Sequence, residues 1–352
     1  MIPFDAWKIS IVLEFFHNPG RLGLVFHIVW ITNFLSLKFP WGNTRRFNSW
    51  ADKCKVFYGS RLQRVSIHAG FTCPNRDGSI GVGGCTYCNN LGFSPTYCHT
   101  GLTVLQQIDE GLDFLKKRYP RAKKFVAYFQ AYSNTYSDLD SIKKLYEEAL
   151  SHPEIMGLAV GTRPDCVDTE KLDYFAHLAS QYFFSIEYGV ESCYNDTLRR
   201  VNRGHTFEDS CRAIEQSAAL GLHTGAHIIL GLPGETREQM LEQAAILSKL
   251  PISTLKVHQL QIVKNTPMAL EYAQQPENFH LFTPDEYRQF IISFLERLNP
   301  NISIERLAGS VPPDFNAAPV WGGIRSEQFV NTVEKEMERL NTWQGRRWIQ
   351  SS

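Results

Sequence analysis

Apolar and polar positions alternate along residues 62–69, Leu-Gln-Arg-Val-Ser-Ile-His-Ala, an extended and β-branched pattern that predicts a strand. Downstream, short β-rich runs take turns with longer helical stretches. Strands are predicted at 124–129, 155–161, 182–188, 224–230 and 254–262, and helices at 102–118, 139–150, 170–180, 207–220 and 235–250. Sequential parallel strands with crossover helices are the economical topology for that order. Six strands are too few for a complete eight-stranded barrel, and strand periodicity alone does not separate an open partial barrel from a doubly wound sheet. The polar clusters at 130–136, 162–164, 187–192 and 231–235 follow strands, which is where a parallel barrel collects its active site. A helix at 283–299, a strand-like run at 302–307, a Pro/Gly-rich loop and a helix at 326–340 come after, with no internal repeat or low-complexity linker.

Composition narrows the class only a little. The 352 residues are 43% hydrophobic and 20% charged, ordinary for a globular protein able to bury a sizeable core. Thirty-six basic and 36 acidic side chains cancel, so no global field advertises a nucleic-acid partner. Eight cysteines without regular pairing fit a reducing compartment, and a cytoplasmic location is expected. The apolar run at 22–37 is interrupted by His27 and Asn33 and falls short of the roughly 20 residues a span needs, so no stable membrane association is expected. Residues 1–38 are therefore set apart as an N-terminal extension. In descending order it reads as a translated segment outside the fold, an extra helix packed on the domain, or a weak membrane contact.

The candidate chemistry lies directly after the first strand. Cys73, Cys85 and Cys88 stand on one loop containing Gly78, Gly81, Gly83 and Gly84, and a loop wrapping a bulky metal centre needs that backbone freedom. Four thiolates close the shell of a structural zinc or electron-transfer site, whereas three leave a position that substrate can occupy. The plainer alternative is a zinc knuckle with Cys98 or His99 as fourth ligand. Cys54, Cys166, Cys193 and Cys211 read as small core residues.

Seven segments in order resemble the radical S-adenosylmethionine (SAM) superfamily, in its elongator-subunit-like branch and most closely the YhcC/YtqA-type bacterial group. They are Cys73-x11-Cys85-x2-Cys88, the runs at 130–136, 161–165, 186–192 and 202–206, His227-Ile-Ile-Leu-Gly-Leu-Pro-Gly-Glu235, and the run at 256–260. The long first gap between cysteines departs from the commoner Cys-x3-Cys-x2-Cys spacing and selects this branch. No acetyltransferase-like segment follows the last predicted helix, so acetyl transfer is not expected.

The resemblance covers residue 39 onward and implies a partial (β/α)6 TIM-like barrel, with a core at 39–265 and a C-terminal α/β extension at 266–352. It further implies a single 4Fe-4S cluster on Cys73, Cys85 and Cys88 whose open iron takes the amino and carboxylate groups of SAM. An external one-electron donor of flavodoxin or ferredoxin type would reduce it, and a 5′-deoxyadenosyl radical would attack the substrate. Carried over by position, Tyr87 packs near the adenine, Ser133 and Asn134 meet the SAM amino group, and Glu187 and Glu191 address its polar groups. On the same basis Arg203 bonds the SAM carboxylate, and Ile229 with the turn Gly231 to Gly234 lines the adenine. Lys256 and His258 share a strand face and are either cofactor or substrate contacts or a satisfied core pair.

For substrate, the resemblance points to tRNA and its wobble uridine. Basic segments at 45–47, 116–124 and 343–348 carry Arg beside aromatic residues, suited to phosphate contact and base stacking, although 116–124 also reads as a solvated helix end. A small tetrapyrrole-like metabolite is the alternative within the enzyme class, and a zinc-stabilised RNA-binding module the alternative outside it.

Overall fold

A computed structural model describes residues 38–92 and 94–349 and the backbone of residues 12–18 and 21–27. The chain divides into two compact units, residues 1–44 and 45–352. In the first, strands Val12–Asn18 and Arg21–His27 pair antiparallel. The part of the apolar run at 22–37 that is described is thus strand and not helix, and residues 28–37 lie outside the described residues. Among the described residues, no helix is long and apolar enough to cross a membrane.

The second unit is built on a seven-stranded, fully parallel sheet curled into a half-barrel. Helix α1 (Trp50–Tyr58) precedes β1 (Leu62–Ile67), and α2 (Val104–Arg118) leads to β2 (Lys124–Phe129). Next come α3 (Leu139–Leu150), β3 (Ile155–Thr162), α4 (Thr169–Ala179) and β4 (Phe183–Glu191). Helices α5 (Asn195–Arg200) and α6 (Phe207–Ala219) precede β5 (His223–Leu230), and α7 (Arg237–Leu247) precedes β6 (Thr254–Gln259). Helices α8 (Pro267–Gln274) and α9 (Pro284–Arg297) lead to β7 (Ser303–Arg306), and α10 (Ser326–Arg339) follows. The order across the sheet is sequential from β1 to β7, so the strand-like run at 302–307 adds a seventh strand to the six counted from sequence.

Alternation along each strand explains why the sheet curls with helices on its outside. Val65 and Ile67, Ala127 and Phe129, Leu158 and Val160, and Ile186 and Tyr188 join one apolar core with Ile108 and Leu112 of α2, Ile142 and Tyr146 of α3, Phe175 of α4 and Ile214 of α6. Each such side chain contributes about 1.5–3 kcal/mol on burial. Caps fix where helices begin: Thr103 and Gln106 form a capping box on α2, Thr206 and Asp209 on α6, and Thr236 and Gln239 on α7.

Several intervening positions carry polar or charged side chains that meet across the interior. Arg64 of β1 donates to Glu187 of β4 at 2.5 Å and to Glu305 of β7 at 2.7 Å. Lys256 of β6 meets the same two carboxylates at 2.6 and 3.3 Å. Tyr128 of β2 lies between the cations, its ring centroid 4.5 Å from the Arg64 guanidinium carbon and 4.7 Å from the Lys256 ammonium. Burial opposes ionisation of Glu187, yet Arg64, Lys256 and His227 hold its carboxyl well below the usual range. Alternating charges thus form a closed ring inside the half-barrel and tie its two edge strands together. Helix α1 packs against both edge strands, its Trp50 ring 4.5 Å from that of His223 on β5, and the Ile304 N–H donates to the Asn48 carbonyl at 2.6 Å.

Removing one member of such a ring leaves its partners buried and uncompensated, which costs about 3–5 kcal/mol. Arg64→Met is expected to lower unfolding free energy by that order in urea titration. Adding Glu305→Leu should recover part of the loss, because the two changes remove interacting charges; strictly additive losses would show that the edges are not coupled.

Candidate active site

The Cys-bearing loop leaves β1 at the C-terminal rim of the half-barrel and folds on itself through its own backbone. The Cys73 carbonyl accepts from the Arg76 N–H at 2.8 Å, Ile80 N donates to the Pro74 carbonyl at 2.9 Å, and Gly84 N donates to the Asn75 carbonyl at 2.8 Å. Gly84 has φ +84°, and a Cβ there would lie 2.8 Å from Nε of Arg76, whose guanidinium crosses the loop to the Cys88 carbonyl at 3.0 Å. Neighbouring elements hold the fold in place. Thr86 N donates to the Val201 carbonyl at 3.0 Å, the Asn202 side chain to the Gly84 carbonyl at 2.8 Å, and the Tyr136 hydroxyl to Ser79 at 2.7 Å.

Cys73 and Cys85 are buried and Cys88 is half-buried. The Cys85 sulfur receives N–H groups from Asn75 at 3.7 Å and Arg203 at 3.6 Å. Burial, together with Cys85 beside it, raises the Cys88 thiol pKa. Among the described residues, no three His, Cys, Asp or Glu side chains gather tightly enough to grip a single metal ion. A polynuclear cluster does not require that, since each thiolate binds a different iron.

Arg203, 7% exposed, also donates to the Gly189 carbonyl at 2.6 Å and faces Glu191 at 3.4 Å. Its own carbonyl accepts from Arg163, which Asp165 holds in a two-pronged pair at 2.9 and 2.6 Å. Glu191 closes β4 with φ +67°, beyond a register shift after Gly189. The segment after β2 is pinned across the sheet: Ser133 N donates to the Thr72 carbonyl at 3.2 Å, and the Asn134 amide to the Gly161 carbonyl at 2.8 Å. Tyr87 and Ile229 pack on one apolar cluster with Val201, Leu232, Leu260 and Met268. Burial drives the Tyr87 phenol pKa well above its ordinary value.

Among the described residues, buried polar atoms without a hydrogen-bond partner on these elements include Tyr87 Oη, Ser133 Oγ, Asn134 Oδ1 and Arg203 Nε, with Thr86 Oγ1 on the thiol loop itself. Because buried polar groups are ordinarily satisfied, such a set around one thiol loop fits a polar ligand that completes them. The sequence-predicted residues do not all join it. Glu187 is 1% exposed and sits in the charge ring with both oxygens engaged, and Lys256 is part of the same ring. Gly231 lies at the end of β5, whereas Gly234 lines a surface cleft of about 610 Å³ with Tyr194, Asn195 and Arg200. Cys98 is 4% exposed within the main apolar core, and His99 is exposed. The basic run at 116–124 joins the end of α2 to the start of β2, at the strand ends opposite the Cys loop. Sequence reasoning passed over Asn75, Arg76 and Arg163, all polar residues within the quoted segments or loop.

The chain belongs to the radical SAM superfamily. The model of that superfamily matches residues 73–245, and that of the radical SAM C-terminal domain matches residues 252–339. The chain is 31% identical to the YhcC protein of Escherichia coli (strain K12), over 83% of this chain and 93% of that one. It is 23% identical to a tRNA uridine(34) acetyltransferase of Methanocaldococcus jannaschii, over 58% of this chain and 36% of the relative. Its fold is similar to the solved archaeal Elp3 of Methanocaldococcus infernus, with TM-score 0.60 and 17% identity over 80% of this chain and 64% of that one. The chain is thus a radical SAM enzyme, of a family that uses a 4Fe-4S cluster with SAM and draws its electron from an external donor.

Behind the rim, Glu235 accepts from the Ser192 hydroxyl and, at 2.9 Å, from Gln243, whose oxygen takes the Cys193 N–H at 3.0 Å. Burial raises its pKa from 4.5 to about 7. Between those values the folded chain keeps a proton that the unfolded chain has lost, so this group makes stability fall as pH rises from about 4.5 to about 7. Glu235→Gln should flatten that part of the profile relative to wild type in denaturant titrations from pH 5 to 7.5; parallel profiles would refute the assignment.

Proposed function

We propose that Cys73, Cys85 and Cys88 hold the 4Fe-4S cluster and that the unsatisfied atoms beside them receive SAM. The observation that carries this reading is the coincidence of Tyr87, Ser133, Asn134 and Arg203, each with a buried unpartnered polar atom, on elements that pack around the thiol loop. Bound together and given one electron by an external donor, cluster and SAM would supply 5′-deoxyadenosyl radical chemistry, with methionine as the leaving group, for removing a hydrogen atom from substrate. The protein's part is to bind, orient and shield.

Asn75 and Arg203 direct N–H groups at the Cys85 sulfur, and such donors stabilise a thiolate ligand's negative charge and tune a cluster's potential. Ser133 and Asn134 offer oxygen acceptors suited to the SAM amino group. Arg203 Nε offers a donor suited to its carboxylate, and Glu191 balances the Arg203 charge. Ile229 and the Tyr87 ring provide the apolar surface for adenine, and Gly231, at φ +98°, makes the turn at the strand end. Glu187, committed to the charge ring, supports the floor beneath this site.

The substrate we assign is tRNA, at its wobble uridine. The support is the sequence likeness to a tRNA uridine(34) acetyltransferase, 36% of whose length is matched. A flavodoxin or ferredoxin type protein is the donor we expect.

Anaerobic reconstitution with iron and sulfide should load about four irons per chain. Reduction with SAM present should then yield 5′-deoxyadenosine, rising further when bulk tRNA is added. Cys85→Ala is expected to lose both iron and product, while Cys98→Ala keeps its iron. Iron retained in Cys85→Ala but lost in Cys98→Ala would transfer the metal to a different ligand set.

A further inference from the structure

Above the charge ring, the half-barrel interior carries two histidines that the SAM-binding assignment leaves unused. Strand register sets their height. Glu187 stands beside Gly225, His227 lies one inward-facing step nearer the rim beside Lys256, and His258 is level with Ile229, a step higher again. Lys256 and His258 are two residues apart on β6 and face the same side. The two imidazole rings are 6.1 Å apart between centroids, inclined at 50°.

Their hydrogen-bonding capacities differ. His227 Nε2 lies 3.1 Å from an oxygen of Glu187, and because that carboxylate is ionised the nitrogen facing it carries the hydrogen. Its Nδ1 is left as an acceptor, and the side chain keeps 20% of its surface exposed. His258 is half-buried and has no hydrogen-bond partner among the described residues. A Cβ at position 309 would approach its Nδ1 to 2.8 Å, so Gly309 is needed behind that edge. Gln259 anchors the Gly309 backbone by two bonds, at 3.0 and 2.8 Å, which fixes the wall against which His258 rests. Burial and the nearby Arg306, His227 and Lys256 charges or dipoles hold the His258 pKa well below its ordinary value, leaving a neutral ring with one donor and one acceptor.

The pair therefore presents an acceptor and a donor side by side to the space between the charge ring and the rim. A planar ligand edge with an N–H next to a carbonyl complements it. We propose that His227 and His258 are substrate-positioning residues that read the imide edge of a uracil ring, His227 Nδ1 accepting its N3–H and His258 donating to a flanking carbonyl. This rests on the wobble-uridine reading, which selects the imide from other edges of the same pattern.

The test uses the full-length, cluster-reconstituted enzyme and two anticodon stem-loop RNAs, with uridine or N3-methyluridine at the wobble position. RNA-dependent 5′-deoxyadenosine formation is measured as KM and kcat separately. For wild type, N3-methylation should raise KM about tenfold or more, the effect of one lost hydrogen bond in a buried site. His258→Phe should raise KM for the uridine RNA about tenfold with a smaller change in kcat, and His258→Asn, which keeps a donor, should recover part of it. Iron content and thermal midpoint verify folding; should His258→Phe not fold, the comparison of RNAs on wild type still decides. A wild type that responds to RNA but accepts both equally, with KM unmoved in the variants, overturns this inference and leaves the uridine reading standing. A wild type indifferent to both RNAs overturns the uridine reading, and this inference with it.

Discussion

The carboxylate of Glu187, held between Arg64 and Lys256 inside the half-barrel, is the interaction on which the remaining architecture leans. Strands β1 and β7 share no ladder, so backbone hydrogen bonding alone does not set how far the sheet curls. Arg64 reaches from one edge to Glu305 on the other and sets that distance by charge. Such a ring adds less to net stability than its Coulomb energy suggests, because desolvation consumes much of it. Its greater effect here is on uniqueness: a one-residue slip of any contributing strand would turn a charge into the apolar layer. With the register fixed, the C-terminal ends of β1 to β5 deliver the thiol loop, Ser133, Arg163, Glu191 and Gly231 to one rim.

Much of this architecture is legible in the sequence, because the helices and strands that pack on each other carry strong periodicity. The strand at 124–129 and the helix at 139–150 coincide with β2 and α3, and the other predicted elements of the barrel agree to within a few residues at most ends. What periodicity does not carry is partnership. The four residues of β7 are too few to announce that they join the main sheet, and their neighbour β6 is chosen by burial of Ile304 and by the Glu305 pairing. Helices α1, α5 and α8 also pass unnoticed, being 9, 6 and 8 residues long. The predicted strand at 254–262 leaves the main sheet after Gln259, and Ile262–Val263 pairs instead with Asn316–Ala318.

At the site, the three cysteines can be read from ligand type and spacing, whereas depth cannot. Glu187 and Glu191 lie in one segment, yet the first sinks among cations and the second is lifted to the rim by a bulge and a left-handed backbone. Alternation assigns a face and says nothing of height along the barrel axis. Lys256 and His258 divide in the same way: one is locked into the charge ring, the other stands clear of it. Arg163 and Asp165 flank a proline in one quoted segment, but their task, steadying the carbonyl of Arg203, depends on a residue 40 positions away and cannot be read from that segment.

The clamp between Arg64 and Glu305 joins residues 241 positions apart, and this has a consequence for biosynthesis. During translation β1 emerges first and its guanidinium finds one partner in β4, but the second carboxylate arrives only when nearly the whole chain has been made. Until then the sheet has an open edge and an incompletely neutralised interior, the kind of exposed intermediate that engages chaperones. Contacts of such long span also make the closing step slow relative to the local β/α units. A ribosome-bound or truncated chain lacking β7 would thus leave Arg64 and Lys256 without their second carboxylate.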